Sequence, residues 1–109
     1  MNQKTREQVY NKYAGHCAYC GERIMYKNMQ VDHKIPKVVN GSDGIENLMP
    51  SCRVCNHYKR GYLLEEYRTL LKTIIERLRK VYINRVAEKY GIYKFIEWDG
   101  KFYFEKEGR

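Results

Sequence analysis

The chain has no apolar run near the roughly 18 residues that a membrane-spanning helix requires, which excludes that kind of span. Its first seven residues, Met1-Asn2-Gln3-Lys4-Thr5-Arg6-Glu7, hold no apolar stretch, so no secretory leader is expected. No internal repeat, low-complexity run or linker interrupts the 109 residues, and a single domain over 1–109 is the expectation. Acidic side chains are in the minority, 13 against 21 Lys and Arg, for a formal net charge of +8. That balance suggests a polyanionic partner. The excess is uneven: residues 53–90 hold ten basic and four acidic side chains, whereas residues 91–109 hold four of each.

Cysteine is used sparingly and in pairs. Cys17-x-x-Cys20 and Cys52-x-x-Cys55 are the only four in the chain. Two matched CxxC turns can present four thiolates to one tetrahedral ion, and a chain with no expected leader favours metal over disulfides. A structural zinc pinning both ends of the loop 21–51 is the expectation. Free thiols, two disulfides, or redox chemistry at one pair are the alternatives. His16 and His57 lie beside the pairs, but four thiolates already complete a site.

Thr5 and Gln8 read as a capping box opening a short helix that ends near Gly15, with Val9 and Tyr13 on its apolar side. Residues 16–50 are rich in turns. Gln30-Val31-Asp32-His33-Lys34-Ile35 reads as a short strand ended by Pro36, and Asn40-Gly41-Ser42-Asp43-Gly44 as a loop. Neither Gly nor Pro occurs between Gly61 and Gly91, which predicts a long basic helix of about 43 Å with a kink near Tyr82–Arg85. Its stripe, including Leu64, Tyr67, Leu71, Ile74, Leu78 and Val81, is too wide for a two-helix seam, and pairing of two such helices in a homodimer is expected. Asp99-Gly100 predicts a terminal β-hairpin over 92–106, pairing Trp98 with Lys101 and Lys94 with Glu105.

Asp32 and His33 are neighbours on the expected strand and so face opposite sides. A carboxylate can hold a hard divalent cation, and a neutral imidazole can take a proton from water near pH 7. Asn56 follows Cys55 and offers an amide oxygen, itself a hard-metal ligand. Each of these signals is weak alone.

Together they form an ordered series: Cys17-Ala-Tyr-Cys20-Gly21, Val31-Asp32-His33-Lys34-Ile35-Pro36, Gly41-Ser-Asp-Gly-Ile-Glu-Asn47-Leu48, and Cys52-Arg-Val-Cys55-Asn56-His-Tyr-Lys59. From about residue 14 to residue 60 this series closely resembles the HNH endonuclease family. The resemblance implies an α+β fold: a ββα-metal finger, here with a four-cysteine zinc knuckle. It implies that His33 is the general base and that Asp32 and Asn56 hold a catalytic Mg²⁺ or Mn²⁺. It implies that Asn47 braces the loop orienting His33, and that the products carry 5′-phosphate and 3′-hydroxyl ends. The third signature position, often His in the family, is Asn56 here, which favours harder ions.

DNA is the expected partner. Phosphate contact is expected from some of Arg53, Lys59, Arg60, Arg68, Lys72, Arg77, Arg79 and Lys80. The expected setting is the cytoplasm, including a host cytoplasm if the protein is phage-encoded. The rival readings are a catalytically silent zinc module that binds nucleic acid or protein, and a subunit active only within a larger complex.

Overall fold

The computed structural model describes residues 1–107. They fall into two compact units: Met1–Leu64 together with the segment from Lys101, and Glu65–Gly100.

In the first unit, helix α1 (Gln3–Asn11) is capped by Asn2, whose side-chain oxygen accepts from the Thr5 amide at 2.8 Å. Asn2 supplies a cap acceptor ahead of Thr5, so the helix starts before the expected Thr5–Gln8 box and that box is unused. Val9 and Tyr13 are buried. The Arg6 guanidinium donates to the carbonyls of Tyr26 and Met29 at 2.8 and 2.9 Å, tying α1 to the following turn.

Strands β1 (Gln30–His33) and β2 (Leu48–Ser51) pair antiparallel, with Asp32 opposite Met49 and His33 opposite Leu48. Lys34 and Ile35 lie outside the strand, because the Asn47 carbonyl and side chain take up their amides. Pro50 is tolerated in β2 because the sheet has only edges, and its carbonyl accepts from Ala18 at 2.8 Å. Helix α2 (Arg53–Lys59) packs on β1. The finger is therefore two short strands and a helix, an α+β arrangement.

The expected terminal hairpin is absent: among the described residues the only sheet is β1–β2. Residues 101–106 attach to the finger instead. The amides of Tyr103 and Phe104 donate to the carbonyls of Tyr19 and Ala18 at 3.0 and 2.8 Å, and a helical turn α6 follows (Tyr103–Lys106). Phe102 is almost fully buried, edge-on to Tyr19 with centroids 5.5 Å apart. Gly21 is held at φ +82°, and a Cβ there would lie 2.6 Å from the Tyr103 ring, so this junction requires glycine on two grounds.

The second unit replaces the expected continuous helix with three: α3 (Leu64–Lys72), α4 (Ile74–Arg79) and α5 (Tyr82–Lys89). One break, at Thr73, was not expected, and the other, at Val81, falls just before the expected kink near Tyr82–Arg85. The Thr73 hydroxyl donates to the Leu70 carbonyl at 2.8 Å, and Arg77 donates to the same carbonyl at 2.9 Å. Side chains thus take a partner that the helix ladder would otherwise use. At the second break the Asn84 amide caps the Leu78 carbonyl at 2.8 Å and Val81 is extended. The uninterrupted stripe from which the homodimer was expected is therefore broken twice. Helix α5 ends in a Schellman turn, with Gly91 at φ +71° and the Ile92 amide bonded to the Ala87 carbonyl at 2.9 Å. Asp99-Gly100 does bend the chain, with Gly100 at φ +82°, but its carbonyl is taken by Arg68 on α3 at 2.6 Å.

Because Phe102 anchors the C-terminal segment in the finger core, Phe102→Ala is expected to lower the unfolding free energy by about 3–5 kcal/mol. Urea denaturation followed by Tyr19-region NMR signals measures this. A loss well under 1 kcal/mol would mean that the segment merely rests on the finger.

Candidate active site and cysteine cluster

The two CxxC turns converge. The Sγ atoms of Cys17, Cys20, Cys52 and Cys55 all lie within 4.8 Å of one another. Cys20 Sγ and Cys52 Sγ are 3.8 Å apart, far beyond a disulfide and close to the edge of about 3.8 Å for a tetrahedron of thiolates 2.3 Å from zinc. Backbone amides point at three of the sulfurs: Cys52 N at Cys17, Glu22 N at Cys20 and Cys55 N at Cys52, at 3.3–3.4 Å. The donor set thus suits a thiolate-binding metal such as zinc. Without one, the sulfurs must share protons. The Cys20 thiol is pushed up to about 12, and Cys55 further, chiefly by donating to the Cys17 sulfur, which is held down as the shared acceptor. His16 is not in the cluster: its Nδ1 meets the Gly21 carbonyl at 3.0 Å and its ring stacks on Tyr103.

The cluster also places the residues around it. The Cys52 side chain accepts from Cys55 N and so caps α2, which carries Asn56 and Lys59. The first knuckle carries Tyr19. Its hydroxyl donates to Asp32 Oδ2 at 2.5 Å, and Lys59 Nζ lies 3.1 Å from the same oxygen. Asp32 is buried and Lys59 has no solvent exposure. Their charges cancel inside the finger, and the Lys59 ammonium also donates to the His33 carbonyl at 3.1 Å. The expected contact of Lys59 with a phosphate is therefore corrected: a fully buried ammonium committed to Asp32 does not face a ligand in solution.

His33 points the other way along the strand and keeps about 25% of its side chain exposed. Its Nε2 lies 2.8 Å from Asp43 Oδ1, and Nδ1 meets no protein group among the described residues. Asn47 is buried. Its Oδ1 accepts from Ile35 N at 2.8 Å, and its Nδ2 donates to the carbonyls of Ile35 and Ser42 at 3.0 and 2.8 Å. Those three bonds close the segment 35–47 onto the end of β1. Asn56 is half-buried on α2, and its side-chain amide has no partner among the described residues.

Arg53 and Arg60, at the two ends of α2, are exposed. Arg53 lines an open cleft of about 540 Å³ together with Arg23 and Lys27, two cations that sequence reasoning passed over. Tyr19 and Asp43 were also missed. Tyr19 was hidden as a spacer between two cysteines, and Asp43 as one of several polar residues in a turn.

Residues 17–60 match the family model described as HNH endonuclease. Over 55 residues, half of this chain, the sequence is 38% identical to the CRISPR-associated endonuclease Cas9 of Corynebacterium diphtheriae, of which it covers 5%. Over 99 residues, 80% of this chain, it is 31% identical to the Bacillus subtilis protein named "SPbeta prophage-derived putative HNH endonuclease YoqL", of which it covers 41%. The chain thus spans less than half the length of these relatives. The fold is similar to part of the crystal structure of the type II-C Cas9 of Actinomyces naeslundii, with a TM-score of 0.56 and 25% identity, over 70% of this chain and 10% of that one. No helix among the described residues is long and apolar enough to cross a membrane.

The buried Asp32–Lys59 pair generates a stability test. Lys59→Met leaves the carboxylate without its counter-ion and is expected to cost about 3–5 kcal/mol. Adding Asp32→Asn should recover part of that loss, since a neutral amide needs no counter-ion. Urea unfolding of the single and double variants checks the coupling. Strict additivity would show that the two side chains do not act as a pair.

Proposed function

From the premise that residues 17–60 form an HNH endonuclease domain, we propose that the protein is a metal-dependent endonuclease hydrolysing phosphodiester bonds of DNA. The observation that carries this reading is the pairing, at one strand end, of a partly exposed imidazole having a free nitrogen with a buried carboxylate locked on one oxygen. His33 accepts a proton from the attacking water. Asp32 and Asn56 would hold a Mg²⁺ or Mn²⁺ ion. Both partners of Asp32 bind Oδ2, which leaves Oδ1 for the cation. Such an ion, when bound, supplies charge stabilisation to the phosphorane and the departing oxygen. Asn47 holds the 35–47 segment against the end of β1 so that His33 keeps its place. Arg53 and Arg60, with Arg23 and Lys27, offer charge to flanking phosphates. The protein acts in the cytoplasm.

The four cysteines would hold one zinc ion, and with four thiolates to supply its ligands that ion would be structural and separate from the catalytic one.

A second reading is a nuclease active only within a larger complex. It is favoured by one fact: the matched Cas9 chains are many times longer than the part this chain resembles. A silent binding module is disfavoured, because Asp32, His33, Asn47 and Asn56 are all present.

Supercoiled plasmid incubated with the protein and Mg²⁺ or Mn²⁺ is expected to become nicked or linear. His33→Ala should cut about 10²–10⁴ times more slowly, the usual contribution of a general base, with unchanged metal content and DNA affinity. Wild-type rates in that variant would remove His33 from the mechanism. Intact plasmid under every metal would leave the larger-complex reading.

Elemental analysis of protein purified without added metal is expected to give one zinc per chain. Cys52→Ser should lose the ion and unfold or aggregate, since a structural zinc contributes folding free energy directly. A metal-free protein that melts at the same temperature with and without chelator would overturn the zinc assignment.

A further inference from the structure

We propose that Asp43 is a positioning residue for His33: its carboxylate fixes the ring's orientation and keeps the ring proton on Nε2, so that Nδ1 is the nitrogen presented to water. This inference rests on the nuclease reading only for its kinetic consequence.

Asp43 is itself exposed, and an exposed ion pair on a loose loop would contribute little. Its backbone, however, is mounted on both sides. The Ser42 carbonyl accepts from buried Asn47 Nδ2 at 2.8 Å. The Ser42 hydroxyl accepts from Gly44 N at 3.2 Å and donates to Glu46 at 3.0 Å. The Gly44 carbonyl accepts from Asn47 N at 2.9 Å. At the other glycine of the loop, Gly41, a Cβ would collide with the Ile35 carbonyl, which holds the loop's entry against the end of β1. The carboxylate therefore stands on a rigid base.

Its two oxygens are divided between two partners. Oδ1 lies 2.8 Å from His33 Nε2, and Oδ2 lies 3.1 Å from Lys37 Nζ. The His33 and Lys37 contacts hold the Asp43 carboxyl below the usual carboxylate range, so it is ionised at neutral pH. An ionised carboxylate only accepts hydrogen bonds. A neutral imidazole facing it must present Nε2–H, and its lone pair is then on Nδ1. Nδ1 meets no protein group among the described residues, so the lone pair is available to solvent. When the ring takes a proton, the same carboxylate lies beside the new positive charge. This is the orienting logic of a carboxylate behind a base, achieved here by a loop residue ten positions along the chain from the histidine.

Two measurements on the whole protein test this. In the ¹⁵N-labelled wild type at pH 8, the His33 ring is expected to carry its proton on Nε2. Its Nε2 nitrogen and proton resonances should shift upfield in Asp43→Ala as the hydrogen bond is lost. In plasmid cleavage, Asp43→Ala should lower kcat about tenfold with KM unchanged, less than the loss of the base itself because the site is open to water. Asp43→Glu, which restores a carboxylate, should regain part of that rate. A ring proton on Nδ1, or ring resonances that do not move in Asp43→Ala, overturns the proposal. So does an Asp43→Ala enzyme with wild-type kcat. If the wild type cuts no DNA in isolation, the nuclease reading as a stand-alone enzyme has failed, and the ring measurement alone decides the role of Asp43.

Discussion

Four sulfur atoms gathered within 4.8 Å are the constraint on which the finger depends. Four thiolates that close repel one another, and four thiols have too few acceptors, so the cluster needs either shared protons or a cation. Its consequences run outward along the chain. One knuckle delivers Tyr19 to Asp32 and offers the Ala18 and Tyr19 carbonyls to the C-terminal segment. The other caps α2 and sets the phase at which Asn56 and Lys59 project from it. Asp32, Asn56 and Lys59 are thus placed by contacts that lead back to the cluster.

Burial on one side of β1 and exposure on the other then divide the work between adjacent residues. Asp32 is taken out of water, which is costly for a carboxylate unless it is paired. Tyr19 and Lys59 pair it through a single oxygen. The cost of burying Lys59 is met by the same contact, together with the His33 carbonyl. One residue later, His33 emerges and is met by Asp43. The period-two alternation of a strand therefore produces a locked carboxylate and a solvent-facing imidazole from consecutive positions.

Much of this was legible in the residues. The CxxC spacing implied a four-sulfur cluster, because each turn can present two thiolates on one side. Gln30–Ile35 read as a strand, two residues longer than the one that forms, and Asn40–Gly44 as a loop, because Pro36 and Asn-Gly mark turns locally. The region after Gly61 misled. The absence of Gly and Pro permits a long helix but does not compel one. Thr73, Arg77 and Asn84 each commit a side-chain donor to a carbonyl of the helix before them, and the rod breaks into three. Asp99-Gly100 was a sound turn signal, yet a turn makes a hairpin only if its arms pair. Here Arg68 captures the Gly100 carbonyl, and the Tyr103 and Phe104 amides bond to the first knuckle.

By itself, then, the sequence determined the features that depend on spacing alone: two thiol pairs, an adjacent Asp-His on a strand, and Asn47 and Asn56 at fixed offsets. Tertiary structure alone decided which partners those groups meet. Lys59 turned inward because an unpaired carboxylate lay beneath it, although nothing local distinguishes it from the exposed arginines at the two ends of its helix. Asp43 reached His33, and Tyr19 reached Asp32, across ten and thirteen residues of chain. Such contacts follow from the folded path of the backbone and leave no periodic mark in the sequence.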